Sequence, residues 1–505
     1  MFEYLLNLIL LYNKNIFNFI YLYFQKIKMK EISYIILILL LLIPISIQSQ
    51  LRWAFEIFRH GARTPYSGMN SSFFDCFGEQ WFGLKELTGV GLRQHFLVGS
   101  RNRIKYMFEN KLIKEKYDPR EVFLISTDSN RTIMSANAQV QGLYPPGTGP
   151  TLFPNQSESA IPPVNRDEIE EAKDELDSND YAALPHKMNI IPVHSFFNAD
   201  HFIQLQDKKV CKPTNEYYKK NQQRKEVTDF LDEMTEKYGD DLNEKLIIKD
   251  KSRDVLKDYT KAYYIFDTII CRYTEGYPLP QLGGVSDEEL LDDSFKFFDL
   301  DLIGNGINND SEICLYSMSP IFDRILKWIN LKIEKDKNND FDYTNYDLPK
   351  FVMFSAHDST CAAFMGFMRD VFGAETRYPY FATNINLELY KDNNNKYYIE
   401  YIINDESILN ITYDNFVGNL KQKMKTMDEV NKFCEFTKEE TEPEKEKDKN
   451  EEDNDDAIYL WVNIALGIAS VILLGIIIFT IKKKKVTGQS VENIDEIQPF
   501  TNEQY

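Results

Sequence analysis

The chain has 505 residues and a formal net charge of −20, from 58 Lys and Arg against 78 Asp and Glu. That length supports a large core and more than one lobe. No basic tract precedes the last apolar run, which argues against nucleic acid as a partner, and the acidity gathers late in the chain rather than around a site.

In chain order, residues 1–28 are rich in Leu, Ile, Phe, Tyr and Asn without the order of a targeting signal, and are read as an extension upstream of the true start. Met29-Lys30-Glu31, an apolar stretch from Ile32 to Ile47 and then Gln48-Ser49-Gln50 have the charged start, apolar middle and polar exit of a secretory signal at 29–50. A longer signal anchor retained in the membrane is the alternative.

Trp53-Ala54-Phe55-Glu56-Ile57-Phe58 predicts a buried strand that ends in Arg59-His60-Gly61-Ala62-Arg63-Thr64-Pro65. A histidine at a strand end, with arginines at Arg59 and Arg63, asks for a bound oxyanion. Two permanent cations depress the pKa of a neighbouring imidazole. Guanidinium forks suit phosphate oxygens, and a neutral imidazole can attack phosphorus. Taken alone, the stretch reads better as two solvated arginines beside a core histidine.

Residues 79–118 are predicted helical, starting near Gln80, with Leu92, Phe96, Leu97, Ile104, Met107 and Phe108 as the apolar face and Asp118-Pro119 as the break. Val122-Phe123-Leu124-Ile125-Ser126 is a second strand, completing a βαβ unit. Asp128 or Ser129 caps the helix that follows and sets Arg131 in its first turn, against the helix dipole; a bound anion would offset that conflict. Residues 145–300 read as a mainly helical inserted lobe. A third apolar strand, Lys350 to Phe354, runs into Ser355-Ala356-His357-Asp358-Ser359-Thr360, and a helix resumes over Cys361 to Met368. Asp358 could be no more than an N-cap. Yet this is the third strand with such residues at its C-terminal end, where open α/β sheets bind ligands, and the three segments together imply one site. Further strands are predicted at 386–390 and 397–403.

The folded part is taken as 51–437. Residues 438–456 carry eleven Asp or Glu against four Lys and no apolar face, which reads as an acidic stalk. Ala457 to Ile481 is uncharged, long enough to span a bilayer, and followed by four lysines, giving a single transmembrane helix at 457–481 and a cytosolic tail at 482–505. The expected arrangement is a single-pass type I membrane protein with its catalytic part extracellular or luminal. Six cysteines (Cys76, Cys211, Cys271, Cys314, Cys361, Cys434) fit a disulfide-forming compartment and form no zinc pattern; their pairing is open at this point. Sequons at Asn70, Asn155, Asn309 and Asn410 fit export.

With these segments in place, the chain resembles the histidine acid phosphatases of the membrane-bound lysosomal and prostatic type. The resemblance is carried by Arg59 to Pro65, by Leu87-Thr88-Gly89 through Gln94-His95, by Ser126-Thr127-Asp128 with Arg131-Thr132 and Met134-Ser135-Ala136 followed by Tyr144-Pro145-Pro146-Gly147, by Ile191 to His194, and by Ser355 to Thr360. It implies an α/β fold of phosphoglycerate-mutase type, with a mixed, mostly parallel central sheet flanked by helices and a smaller inserted lobe. It implies that His60 is the nucleophile and forms a phosphohistidine, that Arg59, Arg63, Arg131 and His357 hold the phosphate, and that Asp358 donates the proton. It implies phosphate monoester substrates, no cofactor and no metal. The family often dimerises, which leaves a homodimer open without fixing the oligomeric state, and the resemblance implies Cys211–Cys434 as one disulfide. Cys271 also matches a family half-cystine, but Phe381-Ala382-Thr383 stands where its partner belongs. His194 matches the family and is read as structural more than functional. Two other functions stay open: a phytase or inositol-polyphosphate phosphatase, which would need extra basic residues such as Arg101, Arg103 and Lys105, and an inactive phosphatase-like surface receptor.

Overall fold

The computed structural model describes residues 49–66, 83–195, 211–245, 254–302, 311–338 and 348–436. Residues 29–48 of the proposed signal, the stalk, membrane span and tail, and Cys76, lie outside the described residues, while Gln50, the last residue of that signal, opens the first strand. Among the described residues no helix is long and apolar enough to cross a membrane.

Among the described residues seven strands form one sheet: β1 (Gln50–Arg59), β2 (Val122–Ser126), β3 (His194–Ser195), β4 (Phe351–Ala356), β5 (Asn384–Lys391), β6 (Tyr397–Ile403) and β7 (Glu406–Thr412), in the order β3-β2-β4-β1-β5-β6-β7. The helices are α1 (Gly89–Arg103), α2 (Asn130–Leu143), α3 (Glu170–Ser178), α4 (Lys212–Asn221), α5 (Lys225–Lys245), α6 (Tyr259–Thr274), α7 (Asp287–Asp301), α8 (Ser311–Asn338), α9 (Asp358–Phe372), α10 (Tyr413–Lys423) and α11 (Met427–Cys434).

β1 is the central strand, and its sequence says why. Trp53, Phe55 and Ile57 face one side and join the core built with α8, α9 and α10. Ala54 and Phe58 face the other and join the core under α2 and the end of α1. A strand covered on both faces reads as a nearly unbroken apolar run. Glu56 breaks that run on the α1/α2 side, fully buried. A third core lies among α5, α6 and α7.

Several expectations change. The mostly parallel sheet is evenly divided: β1/β4, β2/β4 and β2/β3 are parallel, whereas β1/β5, β5/β6 and β6/β7 are antiparallel. The antiparallel β5/β6 and β6/β7 pairs follow from the short connections between those strands, which leave no room for a crossover helix. β3 and β7 had no clear sequence signature: one has two residues, and the other carries only half-buried and exposed side chains.

Gln80 lies outside the described residues, and within them the first helix begins only at Gly89. Gly83 and Lys85 take positive φ (125° and 67°), Arg63 bridges Leu87, and Thr88 caps the helix by accepting from the Gly91 amide. Its last turn, Ile104–Glu109, widens to π geometry, and Leu112 and Ile113 then both donate to the Tyr106 carbonyl. Of the apolar face read for this helix, only Met107 is buried. Leu97 is 59% exposed and Ile104 53%, with Leu92, Phe96 and Phe108 on the surface too. The buried face is Gly91, His95, Gly99 and Asn102, followed by Tyr106 and Met107. The cause is close packing on α2: a Cβ on Gly99 would strike the Gln139 carbonyl, and one on Gly142 the Phe96 carbonyl. Only small residues, and polar ones with partners, fit there.

Candidate active site

Three parallel strand ends carry the predicted residues to one place. His60 follows β1, Arg131 lies in the first turn of α2 after β2, and His357 and Asp358 open α9 after β4. Backbone bonds fix the loop: His60 N donates to Ala356 O at 3.0 Å, Arg59 N to Thr383 O at 2.9 Å and Ala382 N to His60 O at 3.2 Å. Gln94 and Ser135, from two of the motifs above, accept from the amides of Ala62 (2.8 Å) and Gly61 (3.1 Å). Gly61 is required by approach distance, since a Cβ there would sit 2.5 Å from the Gly91 carbonyl oxygen.

His60 is buried and its Nδ1 lies 2.9 Å from the Gly61 carbonyl oxygen. A carbonyl only accepts, so Nδ1 carries the proton and Nε2 keeps its lone pair. Burial, then the charges of Arg131, Arg59 and Arg63 with His357, hold its pKa well below the ordinary range. The ring is neutral, as two flanking arginines predict. His60 and His357 have ring centroids 5.7 Å apart.

The three arginines are held differently. Arg59 pairs with Asp358 (Nη2–Oδ2, 2.7 Å), donates to the Pro379 carbonyl at 2.8 Å, and lies 4.3 Å from the Phe381 ring centroid. Arg63 forks onto Asp267 at 2.7 and 3.2 Å, with Cys271 Sγ 3.5 Å from Nη1. Arg131 donates to Ser129 Oγ at 2.9 Å and to His357 Nδ1 at 3.1 Å. A guanidinium only donates, so His357 Nδ1 accepts, and its Nε2–H therefore donates to Thr127 Oγ1 at 3.0 Å. Burial and then Arg131 push His357 down to about 3. Each of the three guanidiniums keeps a buried Nε–H with no hydrogen-bond partner. A buried donor without an acceptor is costly, and three on permanent cations suit an anion.

Asp358 sits at the first position of α9, where a negative charge is favoured, with His357 as the capping residue. Burial pushes its carboxyl up, but Arg59, Arg63 and His357 outweigh that and hold it below the usual carboxylate range. It is therefore ionised in the site as it stands.

All six predicted residues converge. His194 does not join them; on edge strand β3 its ring packs against Phe123, with centroids 5.0 Å apart. Asp267, Thr127 and Phe381 were not read as site residues. Asp267 lies on α6, some two hundred positions from Arg63, and no local pattern marks it. Phe381, where the resemblance implies a half-cystine, instead covers Arg59 and stands 5.8 Å from the His60 ring. Cys271, its expected partner, is a buried thiol against Arg63. Cys211 and Cys434 do form a disulfide. Among the described residues no group of His, Cys, Asp and Glu could hold a metal ion.

The chain is similar in sequence to named acid phosphatases. Lysosomal acid phosphatase of Xenopus laevis is 27% identical over 366 residues, covering 71% of this chain and 70% of that protein. The Homo sapiens lysosomal acid phosphatase is 26% identical over 368 residues, 71% of each. A solved structure of the phytase from Citrobacter braakii aligns with 12% identity over 74% of this chain and 98% of that one, at a TM-score of 0.48. The sequence model of the histidine phosphatase superfamily (branch 2) matches residues 50–404, a span that holds all six converging side chains. The chain belongs to the histidine phosphatase superfamily, branch 2, as a histidine acid phosphatase.

Proposed function

We propose that His60 Nε2 attacks the phosphorus of a bound phosphate monoester in line, forming a phosphohistidine as the alkoxide leaves. Arg59, Arg63 and Arg131 neutralise the phosphate and stabilise the equatorial oxygens during transfer, with His357 held beside them. Asp358 protonates the leaving oxygen and then draws a proton from the water that cleaves the phosphohistidine. The observation that carries this reading is a neutral histidine, its Nδ1–H committed to the Gly61 carbonyl, among three buried guanidiniums that each keep an unpartnered Nε–H.

Because Asp358 is ionised when the site is empty, its proton must arrive with the substrate. A phosphate drawn to the same arginines raises the carboxyl by its negative charge. Acid conditions supply both the protonated ester and the protonated donor.

A polyphosphate pocket is less well supported. Arg101 pairs with Asp405, Arg103 with Glu115 and the Leu143 carbonyl, and Lys105 with Glu388, so these three cations are engaged along α1. The receptor reading is weakened because every residue of the proposed chemistry is present. The reading extends to a type I protein anchored by residues 457–481 and glycosylated, with its catalytic part extracellular or in a lysosome-like lumen.

His60→Ala tests the mechanism. Turnover of p-nitrophenyl phosphate falls by roughly 10³-fold or more, and acid-labile label from a ³²P-substrate disappears from the protein. Full activity in His60→Ala sinks the phosphohistidine, and a marked preference of the wild type for phytate favours the inositol-polyphosphate reading.

A further inference from the structure

Behind the site lies a second set of buried ionisable groups that phosphoryl transfer does not use. Glu56 stands four residues before His60 on β1, fully buried. Its Oε2 lies 2.9 Å from Asn102 Nδ2 and 2.8 Å from Gln139 Nε2, while Oε1 has no hydrogen-bond partner. At the other end of the same amide, Gln139 Oε1 lies 2.9 Å from His95 Nδ1. His95 Nε2 lies 3.1 Å from the Arg59 carbonyl oxygen. One chain of hydrogen bonds thus runs from the Glu56 carboxyl to the peptide group that joins Arg59 to His60.

Proton counting restricts this chain. The Arg59 carbonyl only accepts, so His95 must carry a proton on Nε2. With Gln139 Nε2 donating to Glu56, its carbonyl faces His95 and demands a proton on Nδ1 as well. That arrangement is an imidazolium opposite a carboxylate. With the amide turned over, a protonated Glu56 donates to Gln139 Oε1, and Gln139 Nε2 donates to Nδ1 of a neutral His95 that keeps its Nε2–H. Both arrangements hold the same single extra proton, and the second buries no charge. Burial pushes Glu56 up to about 7 and His95 down to about 4, which selects the second.

Removing that proton leaves no arrangement that satisfies both ends. The carboxylate takes the Gln139 amide hydrogens, the Gln139 carbonyl takes the imidazole proton on Nδ1, and Nε2 turns a lone pair on the Arg59 carbonyl. The neighbouring charges do not rescue it. Arg101 and Lys105 face Glu56 from α1 and the turn after it and lower its pKa, but both are paired, Lys105 to Glu388 of β5 at 2.5 Å. Glu388 also accepts from Tyr106 at 2.6 Å. Across the sheet Glu56 meets Asn386 of β5 and Met353 of β4. The His95 ring packs on Phe58, with centroids 5.1 Å apart.

We propose that Glu56, Gln139 and His95 are positioning residues that share one proton, and that they hold the Arg59 carbonyl, and so the His60 backbone, only while that proton is present. The catalytic strand then carries an acid preference of its own, separate from Asp358. The effect on turnover rests on His60 as the nucleophile; the protonation of the chain does not.

The test uses the full chain. Glu56→Gln is isosteric and keeps a non-titrating donor toward Gln139. With p-nitrophenyl phosphate, its ratio of kcat at about pH 8 to kcat at about pH 5 rises roughly tenfold over wild type, the change lying in kcat rather than KM. Gln139→Leu cuts the chain and lowers kcat about tenfold with KM nearly constant. ¹⁵N-histidine NMR of the wild type reads His95 directly: a neutral Nε2–H form at about pH 5 that changes as pH passes about 7. The proposal is overturned by a wild-type pH profile in Glu56→Gln, by wild-type kcat in Gln139→Leu, or by a His95 tautomer that stays constant across the range. If neither variant folds, the NMR titration of the wild type decides alone. Failure to trap phosphate on wild-type His60 would overturn the nucleophile and leave the His95 titration standing, so the two failures are distinguishable.

Discussion

Asp358 shows how much one side chain's surroundings decide. Its carboxyl is bound to Arg59 and held ionised, yet the proposed step needs it to give up a proton. The sign follows from linkage: a carboxyl lowered in the folded state adds stability above the ordinary carboxylate pKa, and that stability is lost as pH falls through the lowered value. The salt bridge therefore favours the empty site at mildly acid pH and yields when phosphate arrives. Asp358→Asn keeps the shape and removes the acid. We expect kcat to drop by about 10²–10⁴-fold for alkyl phosphates and much less for p-nitrophenyl phosphate, whose leaving group needs little protonation. Equal losses for both leaving groups would refute the donor role. Asp267 makes the complementary point. It holds Arg63 in a fully buried fork and was invisible to sequence reasoning, because its only signal is contact with a residue on another element.

At the scale of elements, α1 is the instructive case. Its apolar residues recur at helical spacing, yet they lie outside, while glycines and partnered polar groups lie within. Periodicity assumes that burial follows hydrophobicity, and close helix contact breaks the assumption. The packing is testable. Gly99→Ala gains up to about 1 kcal/mol of helix propensity. It also drives a methyl into the Gln139 carbonyl, and overpacking costs about 1–3 kcal/mol. The clash wins, so the variant melts lower than wild type; an equal or higher melting temperature would show that α1 and α2 can part freely. Since Gln139 belongs to the relay behind His60, kcat should fall with the melting temperature.

Across the whole molecule, the site forms where the ends of β1, β2 and β4 meet, and the bonds that hold it reach back into all three layers. The helical lobe contributes Asp267 and Cys271 through α6, and the antiparallel half contributes the Thr383 carbonyl beneath Arg59. The Cys211–Cys434 disulfide joins α4 to α11 across a sequence separation of 223 residues, and Tyr316 stacks on Phe433 beside it at 3.9 Å. Closing so long a loop constrains the unfolded chain strongly. Replacing Cys434 by Ser should remove about 2–5 kcal/mol, read as a lower denaturant midpoint, with little change in KM because neither cysteine touches the site. An unchanged midpoint would mean that the lobe is held by packing alone.

Arg59, His60, Arg63, Arg131, His357 and Asp358 were legible because each sits at a strand end, where local pattern and chemistry coincide. The strands over 53–58, 122–126 and 397–403 were legible for a related reason: buried strands are written in continuous apolar runs. Local pattern was enough to bring out the proposed chemistry, a histidine among arginines with an acid beside it. How those groups are charged and aimed was settled by folding. The His60 tautomer depends on a backbone carbonyl, the His357 tautomer on Arg131, the Arg63 fork on Asp267, and the Arg59 carbonyl on a glutamate buried behind it. Each is a contact between residues far apart in the chain or set by backbone geometry, and such contacts exist only once the chain has folded.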